Sequence, residues 1–314
     1  LQQLERDNEE RYGEIFAAAG LRKSHLIFPV FVSDRPGKIG SMPGMSVTPV
    51  EKVAQHAQSI VDAGIPSIIV FGIPKSRDQR GSPAADRNGV VQRAVRAIKS
   101  GFGSAVNVVT DVCICQYNLS GHCGIVADNI VDNDATLHAL AEIAASHADA
   151  GADVIAPSSM MDGQVRAIKN ALAGYAKTMI LSYSAKHASS LYSPFRSAAF
   201  AKTRSRLDKS SYQVSYANPR QVLLEIETDI NEGADMVMIK PALAYLDLVR
   251  MVKDRFSYPV AVQNVSGEYA MIKAAAMKGW VDEEEWKVCS VASIKRAGAD
   301  RIISYFALDV AKYL

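Results

Sequence analysis

The stretch 149–157, DAGADVIAP, decides the fold because the chain spells it out again and again. DAGIPSIIV at 62–70, EGADMVMIK at 232–240 and KRAGADRII at 295–303 repeat its plan: a helix end, a glycine, one or two further residues, then an apolar run. Glycine takes up the left-handed conformation that ends a helix at little cost, so each copy marks a helix feeding the chain into a buried strand. The runs are continuous rather than alternating, as in parallel strands covered on both faces.

Working outward, apolar runs rich in Val, Ile, Phe and Tyr recur at 26–32, 67–73, 105–114, 153–158, 178–185, 235–240, 259–266 and 301–307. Between them the spacing of Ala, Ile and Leu predicts helices at 49–63, 87–100, 133–150, 162–174, 218–232, 244–256, 269–278 and 282–297. Eight β/α units are the number that closes a barrel, so the expected fold is α/β, an eight-stranded parallel β/α (TIM) barrel. The alternative, an open doubly wound sheet, lacks the GxGxxG turn that such sheets often carry after an early strand. Residues 21–314 are expected to form the barrel domain. Residues 1–20, containing LERDNEERYGEIF, read as an extended N-terminal arm with too little apolar surface to pack deeply.

With 314 residues, 48% of them apolar and 22% charged, the chain has the composition of a globular protein rather than a disordered or fibrous one. A formal net charge of +2 offers no general grip on nucleic acid or anionic lipid, which favours a small-molecule partner. No apolar run approaches the ~20 residues of a membrane span, and the first ten residues are too polar for a secretion signal. The four cysteines are too few for a disulfide scaffold. Three of them fall within eleven residues, which suggests metal or thiol chemistry in a reducing, cytoplasmic setting.

A barrel enzyme works at the carboxyl ends of its strands, so the polar residue that stops each apolar run is informative. Those residues are Asp111 and Cys113 on strand three, Ser158 on strand four, Ser184 and Lys186 on strand five, Lys240 on strand six, Ser266 on strand seven and Tyr305 on strand eight. Burial lowers the pKa of an ammonium group and yields a neutral amine able to attack a carbonyl, so Lys240, ending MVMIK, is a candidate Schiff-base residue. Lys186, on the neighbouring strand, is a second, and each ammonium is expected to depress the other. Cys113, Cys115 and Cys123 suit one metal ion with a position left open, with His122 beside them as a packing or supporting residue. Cys289, within a helix, reads as core. A long polar loop at 186–216 reads as a lid, in which Arg196 and Lys209 are placed to meet a carboxylate while Lys202, Arg204 and Arg206 read as solvated.

DVCICQYNLSGHCG at 111–124, LSYSAKHASSLYSPFR at 181–196, ADMVMIKPALAYLDLVR at 234–250 and VSGEYAMIKAAAMKGW at 265–280 resemble the porphobilinogen synthase (5-aminolevulinate dehydratase) family. FPVFV, SMPGM, GVVQRAVRAIK, APSSMMDG, SYQV and RAGAD extend the resemblance over about residues 21–307. It implies condensation of two 5-aminolevulinate molecules to porphobilinogen with loss of two waters. Lys240 would capture the substrate that supplies the propionate side, Lys186 the other. The resemblance further implies Zn2+ on Cys113, Cys115 and Cys123, and a pocket lined by Asp111, Ser158, Gln213, Ser266 and Tyr305. It also implies a homo-oligomer, an octamer or else a hexamer or dimer, and leaves Mg2+ at an additional site open. Ser120, Ser159, Gln164, Lys209, Gln263 and Asn264 depart from the residues usual in the family. The alternatives are a different Schiff-base lyase or aldolase on the same barrel, and a catalytically weakened zinc-binding paralogue.

Overall fold

The repeated glycine junctions are where the chain is most tightly constrained, and a computed structural model, describing residues 2–199 and 207–314, shows why. Gly64, Gly151, Gly233 and Gly298 all have positive φ, between 81° and 119°, which a residue with a Cβ adopts only under strain. Each is followed by an N–H that bonds back into the helix just ended, as from Ala152 to His147 and from Ala234 to Asp229. A lysine stem crosses all four of these glycines closely: a Cβ on Gly298 would lie 2.8 Å from Lys253 Cγ, and one on Gly151 would lie 3.5 Å from Lys99 Cγ.

The strands so delivered are β1 (Leu26–Ser33), β2 (Ser67–Gly72), β3 (Asn107–Val112), β4 (Val154–Pro157), β5 (Met179–Lys186), β6 (Met236–Lys240), β7 (Val260–Asn264) and β8 (Arg301–Ser304). All neighbours are parallel, and β8 pairs with β1 through Leu26↔Ile302 and Ile27↔Ile303, closing the barrel. Around it run α1 (Gln2–Ala18), α2 (Val53–Asp62), α3 (Val90–Phe102), α4 (Asn133–Asp149), α5 (Gln164–Ala171), α6 (Ser193–Ala198), α7 (Pro219–Glu232), α8 (Leu246–Arg255), α9 (Ser266–Met277), α10 (Glu283–Ala297) and α11 (Ala307–Ala311). The glycine junctions precede β2, β4, β6 and β8, every second strand. The last three carry an aspartate that ties each strand to its predecessor. Asp153 accepts Val108 N–H at 2.7 Å and Lys99 Nζ at 2.9 Å. Asp300 does the same for Val260 (2.8 Å) and Lys253 (2.9 Å), and Asp235 accepts Ile180 N–H at 2.8 Å.

Two expectations need correction. The segment expected to be an extended arm is helical as α1, with Tyr12 and Phe16 buried. These residues lie four apart, on one face of a helix, and seat α1 against α10, with Tyr12 edge-on to Tyr313 at 5.1 Å. The high charge of the segment concealed that narrow stripe. Cys289, read as core, lies on the exposed side of α10. Among the described residues no helix is long and apolar enough to cross a membrane.

Replacing Asp153 with Ala leaves the Val108 N–H and the Lys99 ammonium without this acceptor. The expected loss is about 1–3 kcal/mol of unfolding free energy, read from urea denaturation curves. A curve unchanged from wild type would show that these junction aspartates are ornamental.

Candidate active site

Closing a parallel sheet gathers the carboxyl ends of its strands at one mouth, and there β5 and β6 bring their last residues into register. Lys186 and Lys240 are direct partners across that pair, with His187 N–H bonded to Lys240 O at 2.9 Å. Both lysines line a single cavity at that mouth. Its lining includes Asp111, Cys115, Cys123, Ser158, Lys186, Arg196, Lys209, Gln213, Lys240, Ser266 and Tyr305. Of the residues expected to act in catalysis, substrate binding or metal binding, Cys113 alone stands behind the lining, in the thiol cluster, and Ser184 and His122 do not line it either.

The two lysines have opposite surroundings. Lys240 Nζ sits over three aromatic rings, 4.9 Å from the centroid of Tyr183, 5.3 Å from Tyr192 and 5.8 Å from Phe195. Burial, reinforced by the charge of Lys186 and opposed by Asp111, lowers its pKa to about 7. Ring faces favour a cation, so the cage restrains that fall while excluding water. Lys186 Nζ donates to Ser158 O at 2.5 Å and lies 3.7 Å from Cys123 Sγ. Burial works to lower its pKa too, but the negative charge of Cys123, Cys113, Cys115 and Asp111 outweighs it and the net shift is upward. The expected mutual depression therefore holds for Lys240 alone. A divalent cation on the thiolates would offset the charge that raises Lys186. Desolvation raises the Asp111 carboxyl against the pull of Lys240 and Lys186, favouring a form able to hold a proton.

Cys113, Cys115 and Cys123 are buried, with their Sγ atoms all within 4.8 Å of one another. Cys115 N–H points at Cys113 Sγ at 3.5 Å. Hydrogen bonds from Cys113 and Cys115 hold the Cys123 thiol well below its ordinary range, while burial pushes Cys113 up to about 11. The donor set and spacing fit one thiophilic metal ion, bound by three sulfurs and facing the cavity.

Several assigned side chains have unexpected partners. Lys209, placed from sequence to meet a carboxylate, is buried, with Nζ donating to Gly121 O at 2.6 Å and lying 3.8 Å from Cys123 Sγ. Ser266 Oγ accepts Phe195 N–H at 3.0 Å and donates to Leu191 O at 3.2 Å, pinning the segment that leads into α6. Ser182 Oγ donates to Asp229 on α7 at 2.7 Å, and Asp229 also accepts from Ser184, so Ser184 faces the helices and not the mouth. Arg196 lies over the Tyr192 ring at 5.5 Å. The Tyr305 hydroxyl and Gln213 Oε1 have no partner among the described residues, and the Tyr305 ring stacks on Phe31 at 6.2 Å. Lys202, Arg204 and Arg206 lie outside the described residues. The aromatic cage escaped sequence reading, although Tyr183 stands three residues before Lys186 in a run already judged to be a strand. Tyr192 and Phe195 come from a turn and a short helix whose contacts no periodicity announces.

Two lysines in register beside a thiol triad form this site, and similarity to known proteins shows its family. A family model described as delta-aminolevulinic acid dehydratase matches residues 3–313. The chain belongs to that family. A delta-aminolevulinic acid dehydratase of Archaeoglobus fulgidus is 49% identical over 306 residues, covering 96% of this chain and 94% of its own. The family member of Staphylococcus epidermidis is 45% identical, with coverages of 94% and 92%. Among solved structures, the dehydratase of Toxoplasma gondii with porphobilinogen bound superposes with a TM-score of 0.91 at 37% identity, covering 94% of this chain and 86% of that one.

Because imine formation needs the neutral amine, capture of a ketone by Lys240 is expected to rise as pH increases through about 7 and to fade below it. Borohydride trapping with 5-aminolevulinate, quantified on the peptide bearing Lys240 across pH 5.5–9, reads this directly; a rate that climbs only near pH 10 would mean an ordinary lysine.

Proposed function

We propose that this member of the delta-aminolevulinic acid dehydratase family is an active porphobilinogen synthase, joining two 5-aminolevulinate molecules to porphobilinogen with loss of two waters. The observation that carries the reading is the paired lysines, one with its pKa lowered to about 7 in an aromatic cage and one beside three thiols and a carboxyl group. On this reading Lys240 attacks the ketone of the first substrate, and its nitrogen replaces the carbonyl oxygen, which leaves as water. Lys186 does the same for the second substrate once its proton is lost, which a cation on the thiolates would favour by offsetting their charge. Asp111, near both nitrogens and favouring its protonated form, takes and returns the protons these additions require. Arg196 receives a substrate carboxylate. Ser158, Gln213, Ser266 and Tyr305 shape the pocket, and Lys209 lies close enough to the second substrate to contribute charge.

Cys113, Cys115 and Cys123 would hold Zn2+, whose Lewis acidity at the cavity would polarise an oxygen or nitrogen of the second substrate. Magnesium at an additional site stays an expectation of the resemblance. Three unpaired thiols together favour a cytoplasmic, reducing setting. A homo-oligomer, an octamer by resemblance, is supported by the exposed apolar side chains of Met277, at the end of α9, and Trp280, just past it. A different Schiff-base lyase would also use Lys240, so product identity separates the two readings.

Lys240→Ala is expected to abolish porphobilinogen formation from 5-aminolevulinate, since among the described residues no other amine stands at the end of β6. Imine trapping without porphobilinogen in the wild-type protein would favour the other lyase, and neither signal would mark a weakened paralogue. Arg196→Ala is expected to raise KM and lower kcat by about 10-fold or more in steady-state assays of porphobilinogen. Chelation is expected to stop turnover while leaving the thermal unfolding midpoint nearly unchanged, because the barrel core does not include the triad.

A further inference from the structure

Side chains from one short stretch, residues 209–213, converge on Cys123 and its loop. Lys209 Nζ and Gln213 Nε2 lie 3.8 Å and 3.9 Å from Cys123 Sγ. Both also line the cavity, where the proposed function uses them. Tyr212 does not line it. Its hydroxyl accepts Cys123 N–H at 3.2 Å and shares a 3.1 Å hydrogen bond with His122 Nδ1, while its ring meets the imidazole edge-on at 5.9 Å. The same ring packs against the three thiols.

The thiols differ in what holds them. Cys113 and Cys115 follow directly on β3 and are placed by that strand. Cys123 stands in a loop, where Asn118 bonds His122 O at 2.9 Å and Gly121 N–H at 2.8 Å. Those bonds shape the loop ahead of Cys123. The backbone of Cys123 itself is fixed by the Tyr212 hydroxyl. We infer that Tyr212 is a positioning residue of the metal centre, fixing through one hydroxyl both the Cys123 backbone and the His122 ring so that the third sulfur meets the other two.

The inference rests on the proposed metal at the triad. Loss of the hydroxyl leaves Cys123 N–H without this acceptor and the fully buried His122 with neither ring nitrogen paired among the described residues, since Nε2 has no partner already. The loop then spends part of its time away from the geometry the metal needs. Partners that orient metal ligands commonly contribute about 10- to 100-fold in affinity.

The test is Tyr212→Phe, which keeps the ring. Zn2+ affinity is measured by competition with a chromophoric chelator, and the thiolate-to-metal absorption of the Co2+-loaded protein reports the geometry. Affinity is expected to fall about 10- to 100-fold with an altered Co2+ spectrum, while the unfolding midpoint of the metal-free protein stays close to wild type. Tyr216→Phe, at an exposed tyrosine outside the cavity lining, is expected to match wild type. His122→Gln, which removes the ring from the other side of the same hydrogen bond, is expected to weaken metal binding as well and serves as a second measurement. Wild-type affinity and spectrum in both Tyr212→Phe and His122→Gln would overturn the inference while leaving the triad reading intact. A wild-type protein that takes up no metal would overturn both.

Discussion

Two amines buried side by side are the arrangement on which the rest of this site depends. Neighbouring parallel strands stand about 4.8 Å apart, so the register that pairs Lys186 with Lys240 places two like charges where water cannot separate them. The protein resolves this by giving the two strand ends different neighbours. Thiols, a carboxyl group and a backbone carbonyl surround Lys186 and keep it charged. Burial lowers the pKa of Lys240 and the nearby charge of Lys186 adds to it, a fall that the ring faces around the ammonium restrain. Lys186 then helps define Lys240, since its charge is among the causes that lower the pKa of Lys240.

That pairing depends in turn on a register set far from the mouth. Asp235, at the glycine junction before β6, accepts Ile180 N–H of β5 at 2.8 Å and so fixes β5 against β6 at their amino ends. The equivalent aspartates do this for β3 with β4 and for β7 with β8. Sliding a strand by one residue would turn its side chains to the opposite face. The repeated words anchor each pair at its amino end, and between β5 and β6 an irregularity between Val237 and Ile239 then shifts the register by one residue, which brings Lys240 opposite Lys186 rather than Ala185.

Much of this was legible in the sequence because it is written locally. A glycine, an aspartate and an apolar run lie within nine residues, and a lysine ending such a run is visible without any tertiary information. The thiol cluster was equally plain, all three cysteines falling within one strand end and its loop. What the sequence concealed depends on contacts between distant segments. Tyr12 and Phe16 seat α1 although charged residues surround them in the chain. Lys209 lies 86 residues from Cys123, and nothing in its vicinity announces that its ammonium turns to Gly121 O rather than outward. Ser266, a natural pocket residue by position, is occupied by backbone groups of a segment about 70 residues away.

Lys209, one of the positions at which the chain departs from the residues usual in the family, bears on how a substrate would be held. A lysine presents a point charge and can satisfy itself on one carbonyl, as here on Gly121, whereas a guanidinium fork would reach both oxygens of a carboxylate. On the proposed reading the forked contact falls to Arg196. Its guanidinium lies over the Tyr192 ring at 5.5 Å, and the same ring has Lys240 Nζ at 5.3 Å. The Tyr192 hydroxyl donates towards His187 O and Lys240 O, at 2.8 Å and 3.1 Å, the backbone oxygens at the ends of β5 and β6. In 5-aminolevulinate two methylene groups separate carboxylate from ketone. A cation for the first and an amine for the second are thus referenced to one rigid side chain, itself anchored to both catalytic strands. On that reading Tyr192 would set the distance between the two ends of the substrate, and a ring with only two side-chain torsions would do so at small entropic cost.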